Sequence, residues 1–326
     1  MIVSLAQNAD ADLVRRELAR LGIWVQSIEK TSDGRPAHVV TAPHSAACDA
    51  KEIEKIAGVA SVSKPASLHP RLDAQGPVVE IAGVTFGRGA PVVMAGPCSV
   101  ESETQIRTIA AAAKKAGASF LRGGAFKPRT SPYSFEGHGT PALDWMTKAA
   151  KDNGLRIVTE VISEHDVDAV AAHADLMQVG SRNMQNFALL HAVGRTKKPA
   201  LLKRAMSATI EEWLLAAEHL LAHGAASVVL CERGVKGFDP STRNLLDLGA
   251  VAVVAHAHHV PVIVDPSHAT GRRDLILPLA RAAIAAGACG IIVEAHHDPA
   301  TAMSDGPQAL GMKELEALVQ SIGGGA

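Results

Sequence analysis

The sequence lacks several features that would place it in a specialised class. No apolar run approaches the ~20 residues a membrane helix needs, and Met1-Ile-Val-Ser-Leu-Ala is not a basic segment followed by a long apolar stretch, so neither a membrane span nor a secretory signal is expected. There is almost no net charge, −1 over 326 residues, and hence no global field that would favour nucleic acid or an anionic membrane. The four cysteines, Cys48, Cys98, Cys231 and Cys289, are widely spaced with no CxxC pair. That pattern is not a disulfide framework and points to a reducing, cytoplasmic setting. What remains is ordinary globular composition, 47% hydrophobic and 20% charged, long enough for one large domain or two.

The first seventy residues predict a small module. Apolar alternation over Met1–Ala6, a helical face of Val14, Leu18 and Leu21, strands at 23–28 and 38–41 around the turn Ser32-Asp-Gly34, a helix over 45–57 and a strand at 59–62 give the order βαββαβ of an α+β ferredoxin-like sandwich. It has no glycine-rich phosphate loop and no cluster of acids or metal ligands. A binding, regulatory or oligomerising role is therefore expected for residues 1–70, with 71–77 as a linker.

From residue 78 onward, after a hairpin expected at 78–86, apolar runs recur at Val92–Met94, Phe120–Leu121, Ile157–Val158, Leu176–Val179, Ala200–Leu202, Val228–Leu230, Val262–Val264 and Ile291–Val293, with helical patterns such as 104–116, 210–222 and 275–286 between them. Eight βα units over residues 78–326 match a (β/α)8 TIM barrel. A doubly wound open sheet would want a GxGxxG turn after its first strand, and none is there.

Every strand ends in a reactive or charged group: Gly96-Pro-Cys98, Arg122 with Lys127-Pro-Arg129, Thr159-Glu160, Gly180-Ser-Arg182, Lys203-Arg204, Cys231-Glu-Arg233, Asp265-Pro-Ser-His268 and Glu294-Ala-His296. One such ending is commonplace, but eight in succession would converge on a single barrel mouth. The stretch from Arg122 to Ser131 is cationic, rich in hydroxyls and stiffened by Pro128, which suits phosphate or carboxylate oxyanions. Cys98, His268, Glu294 and Asp305, on loops after the first, seventh and eighth strands, form a thiolate, imidazole and carboxylate set suited to Mn2+, Fe2+, Co2+ or Zn2+. Cys231 and Cys289 are expected as core thiols. His256, His258 and His259 are expected at the surface, and His296 shares a strand face with Glu294.

These motifs, with Gly180-Ser-Arg-Asn-Met-Gln-Asn186 and Asp265-Pro-Ser-His-Ala-Thr-Gly271 among them, resemble 3-deoxy-D-arabino-heptulosonate 7-phosphate (DAHP) synthase, in the type Iβ branch that carries an N-terminal ferredoxin-like domain. The resemblance covers about Val78 to Gly323. It implies condensation of phosphoenolpyruvate with erythrose 4-phosphate, the entry to aromatic amino acid biosynthesis. Residue by residue it implies Arg122, Lys127 and Lys203 at the phosphoenolpyruvate carboxylate, and Arg182 and Arg233 at its phosphate. Arg129, Thr130 and Ser131 are implied at the erythrose phosphate, and Cys98, His268, Glu294 and Asp305 at the metal. Catalytic parts fall to Lys127, His268 and Cys98, with the proton donor either Lys127 or a water beside His268. The resemblance further implies an aromatic amino acid effector on the N-terminal domain and a homotetramer. The chain departs from the family at Phe135-Glu-Gly-His138, at Ala205 and over Val235–Phe238, none of them an assigned ligand. Two other readings are a 3-deoxy-D-manno-octulosonate 8-phosphate synthase, a family that carries Lys-Ala-Asn in place of Lys127-Pro-Arg129 and takes arabinose 5-phosphate, and a non-catalytic metabolite sensor.

Overall fold

The computed structural model describes residues 1–32, 34–42, 45–46, 48–63, 67–127, 133 and 135–323. The chain divides into two compact units, Met1–Leu68 and His69–Ala326.

The first unit runs β1 (Ile2–Leu5), α1 (Ala11–Arg20), β2 (Val25–Lys30), β3 (Pro36–Thr41), α2 (Ala50–Glu54) and β4 (Val59–Ser63). Its sheet has the order β2-β3-β1-β4 with every neighbour antiparallel, the ferredoxin-like arrangement. Asp10 starts α1 by accepting the Asp12 and Leu13 amides, and the helix buries Val14 and Leu18 against Val3, Val39 and Ile53. Leu21, expected inward, is 39% exposed, because the helix ends there and Ile23 fills the core instead. The second helix is shorter than the expected 45–57, since Asp49 caps it and starts it late.

The second unit opens with a correction. Residues 71–77, expected as a linker, are largely helix α3 (Pro70–Gln75), with the proline at the first turn where its missing N–H costs nothing. Leu72 is fully buried, and the Arg71 and Leu72 amides donate to the Glu218 carboxylate. Gln75 exchanges two hydrogen bonds with the backbone of Val228, at 2.9 and 2.7 Å, as a paired strand residue would. The hairpin β5 (Val79–Ile81) and β6 (Val84–Phe86) follows.

Eight parallel strands then close a barrel: β7 (Val92–Gly96), β8 (Phe120–Arg122), β9 (Arg156–Val161), β10 (Leu176–Val179), β11 (Ala200–Lys203), β12 (Val228–Glu232), β13 (Val262–Val264) and β14 (Gly290–Glu294). The helices between them are α4 (Glu103–Ala116), α5 (Thr140–Asn153), α6 (Val167–His173), α7 (Phe187–Arg195), α8 (Ile210–Ala222), α9 (Leu248–Ala252), α10 (Pro266–Thr270), α11 (Ile276–Ala285) and, after β14, α12 (Met312–Ser321). Alternation sorts the strand residues into two cores. Val93, Ala95, Leu121 and Ile157 face the helices, whereas Met94, Phe120, Val158, Leu176, Leu201, Val229 and Ile263 fill the barrel interior. Val79, Ile81 and Phe86 of the hairpin join that interior cluster, with the Phe86 and Phe120 rings 5.9 Å apart, and so plug the end where the strands begin. Among the described residues, this leaves the barrel interior open at the end where the strands finish. Among the described residues no helix is long and apolar enough to cross a membrane.

Candidate active site

The period-two rule that fills the interior also selects what reaches its open end. Counting on from Met94 gives Gly96 and Cys98; from Phe120, Arg122; from Leu201, Lys203; from Val229, Cys231 and Arg233; from Ile263, Asp265; and from Ile292, Glu294. Arg204 has the opposite parity. It turns away from the interior to bond Glu232 at 3.0 Å and Asp247 at 2.9 Å, so only the first residue of the Lys203-Arg204 pair serves the mouth.

Cys98, His268, Glu294 and Asp305 come together, one donor atom from each lying within 4.8 Å of all the others. Cys98 is 4% exposed, and its Sγ donates to Asp305 Oδ2 at 3.0 Å. Burial, reinforced by Glu294, pushes its thiol up to about 12. Burial also pushes the Glu294 carboxyl up, but His268, Arg122 and Lys127 outweigh it and hold the group at about 2, fully ionised. The Glu294 carboxylate accepts from Arg122 Nη1 at 2.8 Å and from Gln308 Nε2 at 2.6 Å, with His268 Nε2 at 3.2 Å.

His268 sits on the short helix α10, which Asp265 starts. Asp265 Oδ1 accepts the His268 amide at 2.9 Å while Oδ2 lies 2.7 Å from His268 Nδ1 and also pairs with Lys203. With Nδ1 engaged, Nε2 is the nitrogen turned toward Glu294, the carboxylate–histidine arrangement that orients a metal-binding imidazole. Asp265 itself is buried yet held well below the usual carboxylate range, because His268 and Lys203 overcome the cost of burial. Metal–ligand bonds of about 2.0–2.3 Å are compatible with donors at these separations, and one sulfur, one nitrogen and two carboxylates are a set for a divalent transition ion.

Around the quartet stand cations. Lys127 Nζ lies 3.0 Å from Cys98 Sγ and donates to the Cys98 carbonyl at 2.9 Å. Arg122, Lys203 and Arg233 are all more than nine-tenths buried. Arg233 Nη1 has no hydrogen-bond partner among the described residues, although it is out of reach of water. A buried guanidinium nitrogen left so is a donor in want of an oxyanion. Arg182 is exposed, on the turn Ser181–Asn183 that follows β10. Arg129, Thr130 and Ser131 lie outside the described residues.

Three side chains at the site were given no role from sequence: Asp265, quoted there only as the end of its strand, Gln308 and Arg243, the last 3.5 Å from Asp305. Asp265 carried a signal, because Asp-Pro is an N-cap followed by a first-turn proline. Gln308 and Arg243 lie on connecting loops without one. His296 is buried but serves Gln105, 3.1 Å away, and the Asp298 carbonyl rather than the quartet. Cys231 is a core thiol raised by burial, and Cys289, half-buried where β14 begins, is raised by burial to about 11.

The sequence profile of the DAHP synthetase I family matches residues 64–323. A phospho-2-dehydro-3-deoxyheptonate aldolase of Thermotoga maritima is 45% identical over 273 residues, 83% of this chain and 81% of that protein. The crystal structure of a phospho-2-dehydro-3-deoxyheptonate aldolase (DAHP synthase) from Thermotoga maritima superposes with a TM-score of 0.75 at 40% identity, covering 98% of this chain and 95% of that one. A 2-dehydro-3-deoxyphosphooctonate aldolase of Polaromonas naphthalenivorans is 31% identical over 272 residues, 75% of this chain and 93% of that protein.

Proposed function

The chain belongs to the DAHP synthetase I family, and from that premise we propose that it condenses phosphoenolpyruvate with erythrose 4-phosphate to give DAHP and inorganic phosphate. The observation that carries this reading is the meeting, at one barrel mouth, of a four-donor set with buried cations, one of which has an unpaired nitrogen.

Arg122, Lys127 and Lys203 bind the phosphoenolpyruvate carboxylate, and Arg182 and Arg233 take its phosphate. Arg129, Thr130 and Ser131 take the erythrose phosphate. Two phosphates and a carboxylate bring about four to five negative charges, against six cations from these positions, which reconciles a nearly neutral chain with a polyanion site. Cys98, His268, Glu294 and Asp305 hold a divalent metal, Mn2+, Fe2+, Co2+ or Zn2+, whose chemistry when bound is Lewis-acid polarisation of the aldehyde oxygen.

With both substrates held, the enol carbon of phosphoenolpyruvate forms its bond to the aldehyde carbon. Water adds at the cationic C2 centre so created and gives up one proton, which restores the one Lys127 donates; the C2 hydroxyl then collapses to the ketone as the C2–O bond to phosphate breaks, and inorganic phosphate leaves with the second proton. The new hydroxyl takes a proton from Lys127, whose Nζ stands 3.0 Å from Cys98 Sγ and so beside the donor set. Asp265 keeps His268 in one tautomer and orientation throughout.

The test is phosphate release from phosphoenolpyruvate with Mn2+, supplying erythrose 4-phosphate or arabinose 5-phosphate, with and without EDTA. Turnover with erythrose 4-phosphate that EDTA abolishes is expected. Turnover only with arabinose 5-phosphate would transfer the chain to the octulosonate branch, and silence with both would leave a metabolite sensor. The N-terminal unit contains none of these residues, and we assign it feedback control by an aromatic amino acid in a homotetramer. Inhibition that survives deletion of residues 1–68, or a sedimentation mass other than that of four chains, would remove that assignment.

A further inference from the structure

A second group of metal-type donors lies in the helical layer of the barrel unit. His191 is on α7, His219 is on α8, and His223 is the residue that ends α8; a ring nitrogen from each lies within 4.8 Å of the other two. Barrel helices run opposite to their strands, so the last turn of α8 is toward the plugged end of the barrel and away from the mouth. His219 and His223 are four residues apart, the spacing that puts two imidazoles on one helix face and that helical zinc sites use.

The geometry is more specific than three histidines sharing a surface. His191 Nε2 and His219 Nδ1 are 3.1 Å apart, so one of them holds a proton against the lone pair of the other. Two nitrogens tetrahedrally bound to zinc at about 2.0–2.1 Å stand roughly 3.3 Å apart, so an ion could replace that proton with little movement. His223 Nδ1 lies 2.8 Å from the His219 carbonyl, to which it must donate, leaving Nε2 as its lone-pair nitrogen. A backbone carbonyl that fixes the tautomer of a ligating imidazole is the usual outer partner in metal sites. The rings of His191 and His223 stack, with centroids 3.6 Å apart and planes inclined by 13°, so His223 has to turn its ring out of that stack to aim the Nε2 lone pair at an ion beside His191. Gly194 allows this approach, because a Cβ there would stand 2.7 Å from the Leu220 carbonyl oxygen and 2.8 Å from His223 Cβ.

A hydrogen-bonded surface cluster accounts for the single contact between His191 and His219. It does not account for three imidazoles in contact with no carboxylate pairing with any of them among the described residues. The cluster offers imidazole nitrogens alone, the ligand type suited to zinc, nickel and copper and not to the harder manganese.

We propose that His191, His219 and His223 form a second transition-metal site, occupied by Zn2+, that clamps α7 to α8. Three protein nitrogens would leave a fourth tetrahedral position for water.

The test is metal stoichiometry on the full chain, stripped and then dialysed against Zn2+ or Mn2+. His223→Gln, at a half-buried position outside the hydrophobic core, and His219→Gln should each bind one Zn2+ per chain fewer than the parent while binding Mn2+ as the parent does. Because the comparison is between variant and parent, it holds whatever the barrel mouth binds. In a Cys98→Ala background, Zn2+ should still raise the thermal midpoint, and adding His223→Gln should remove that rise. Equal zinc content in parent and variants overturns the proposal, as does a parallel loss of manganese.

Discussion

Arg122 Nη1 and Glu294 Oε1 stand 2.8 Å apart in the barrel mouth, at 5% and 0% exposure, and join the proposed carboxylate-binding group to a proposed metal ligand. Each offsets the cost of burying the other's charge. Burial lowers the proton affinity of Arg122, but Glu294 foremost and then Cys98 and Asp265 raise it above its ordinary value.

Arg122→Met should therefore damage both halves of the site. Removing one partner of a buried ion pair costs about 3–5 kcal/mol of stability; separately, a loss of 100-fold or more in kcat/KM for phosphoenolpyruvate is expected, about 2.7 kcal/mol of transition-state stabilisation. Arg122→Lys should recover little, because a single ammonium cannot present the guanidinium fork. Steady-state kinetics and metal content measured together would check it. An Arg122→Met chain with parental kcat/KM would contradict the pairing.

Gly96→Ala tests how the mouth is built. Gly96 has φ 156°, and a Cβ there would lie 2.0 Å from the carbonyl oxygen of Arg122 in the neighbouring strand. Since backbone must shift, a destabilisation of about 1–3 kcal/mol is expected. Activity should fall further than stability, by about 100-fold, because Cys98 and Arg122 move together and a displacement of ~1 Å suffices for such a loss. Urea unfolding beside kcat would separate the two effects.

A pH effect follows from the start of α8. Thr209 and Glu212 form a reciprocal cap, in which Thr209 N donates to Glu212 Oε2 at 2.8 Å and Glu212 N donates to Thr209 Oγ1 at 3.2 Å. The Thr209 amide foremost, then its hydroxyl, lowers the Glu212 carboxyl below its ordinary 4.5. A carboxyl lowered by folding contributes stability that is complete above the unfolded value and is lost as pH falls through the folded one. Thr209→Ala should return Glu212 toward 4.5 in a carboxyl NMR titration, and the stability gap between parent and variant should narrow as pH drops below 4.5.

Arg204 and Glu232 give a stability prediction away from the chemistry. Burial raises the Glu232 carboxyl, while the Gly234 amide and Arg204 oppose that rise. Arg204→Met should cost about 3–5 kcal/mol by leaving a buried charge unpaired. Adding Glu232→Gln should recover part of the loss, and a double variant whose cost equals the sum of the two singles would show that the pair is not coupled.

Much of the barrel was legible because it repeats. Each expected run, from Val92–Met94 to Ile291–Val293, falls within an observed strand, since apolar runs bounded by turn residues leave few alternatives. The shorter elements were harder to read. Pro70 looked like a break and is a helix start, because the same residue that ends one segment is suited to begin the next. The helix expected over 45–57 shrank to Ala50–Glu54 because the Asp49 side chain caps it there, a local hydrogen bond that hydrophobic periodicity does not register.

The sequence by itself determined which residues could reach the mouth, because a side chain's face follows from strand parity. Cys98, Arg122, Lys203, Arg233 and Glu294 needed only counting from their neighbours. Tertiary structure alone decided which of them touch, and what their neighbours do to their charge. Cys98 meets Asp305 across 207 positions, and Gln308 reaches Glu294 from a loop with no periodicity. Arg204 is consigned to Glu232 and Asp247 although it stands beside Lys203 in the chain. Likewise His191 and His219 are 28 residues apart and become neighbours only when α7 packs on α8. Closing the barrel makes these meetings, and removal from water then gives them their strength, since burial raises both the cost of an isolated charge and the value of its partner.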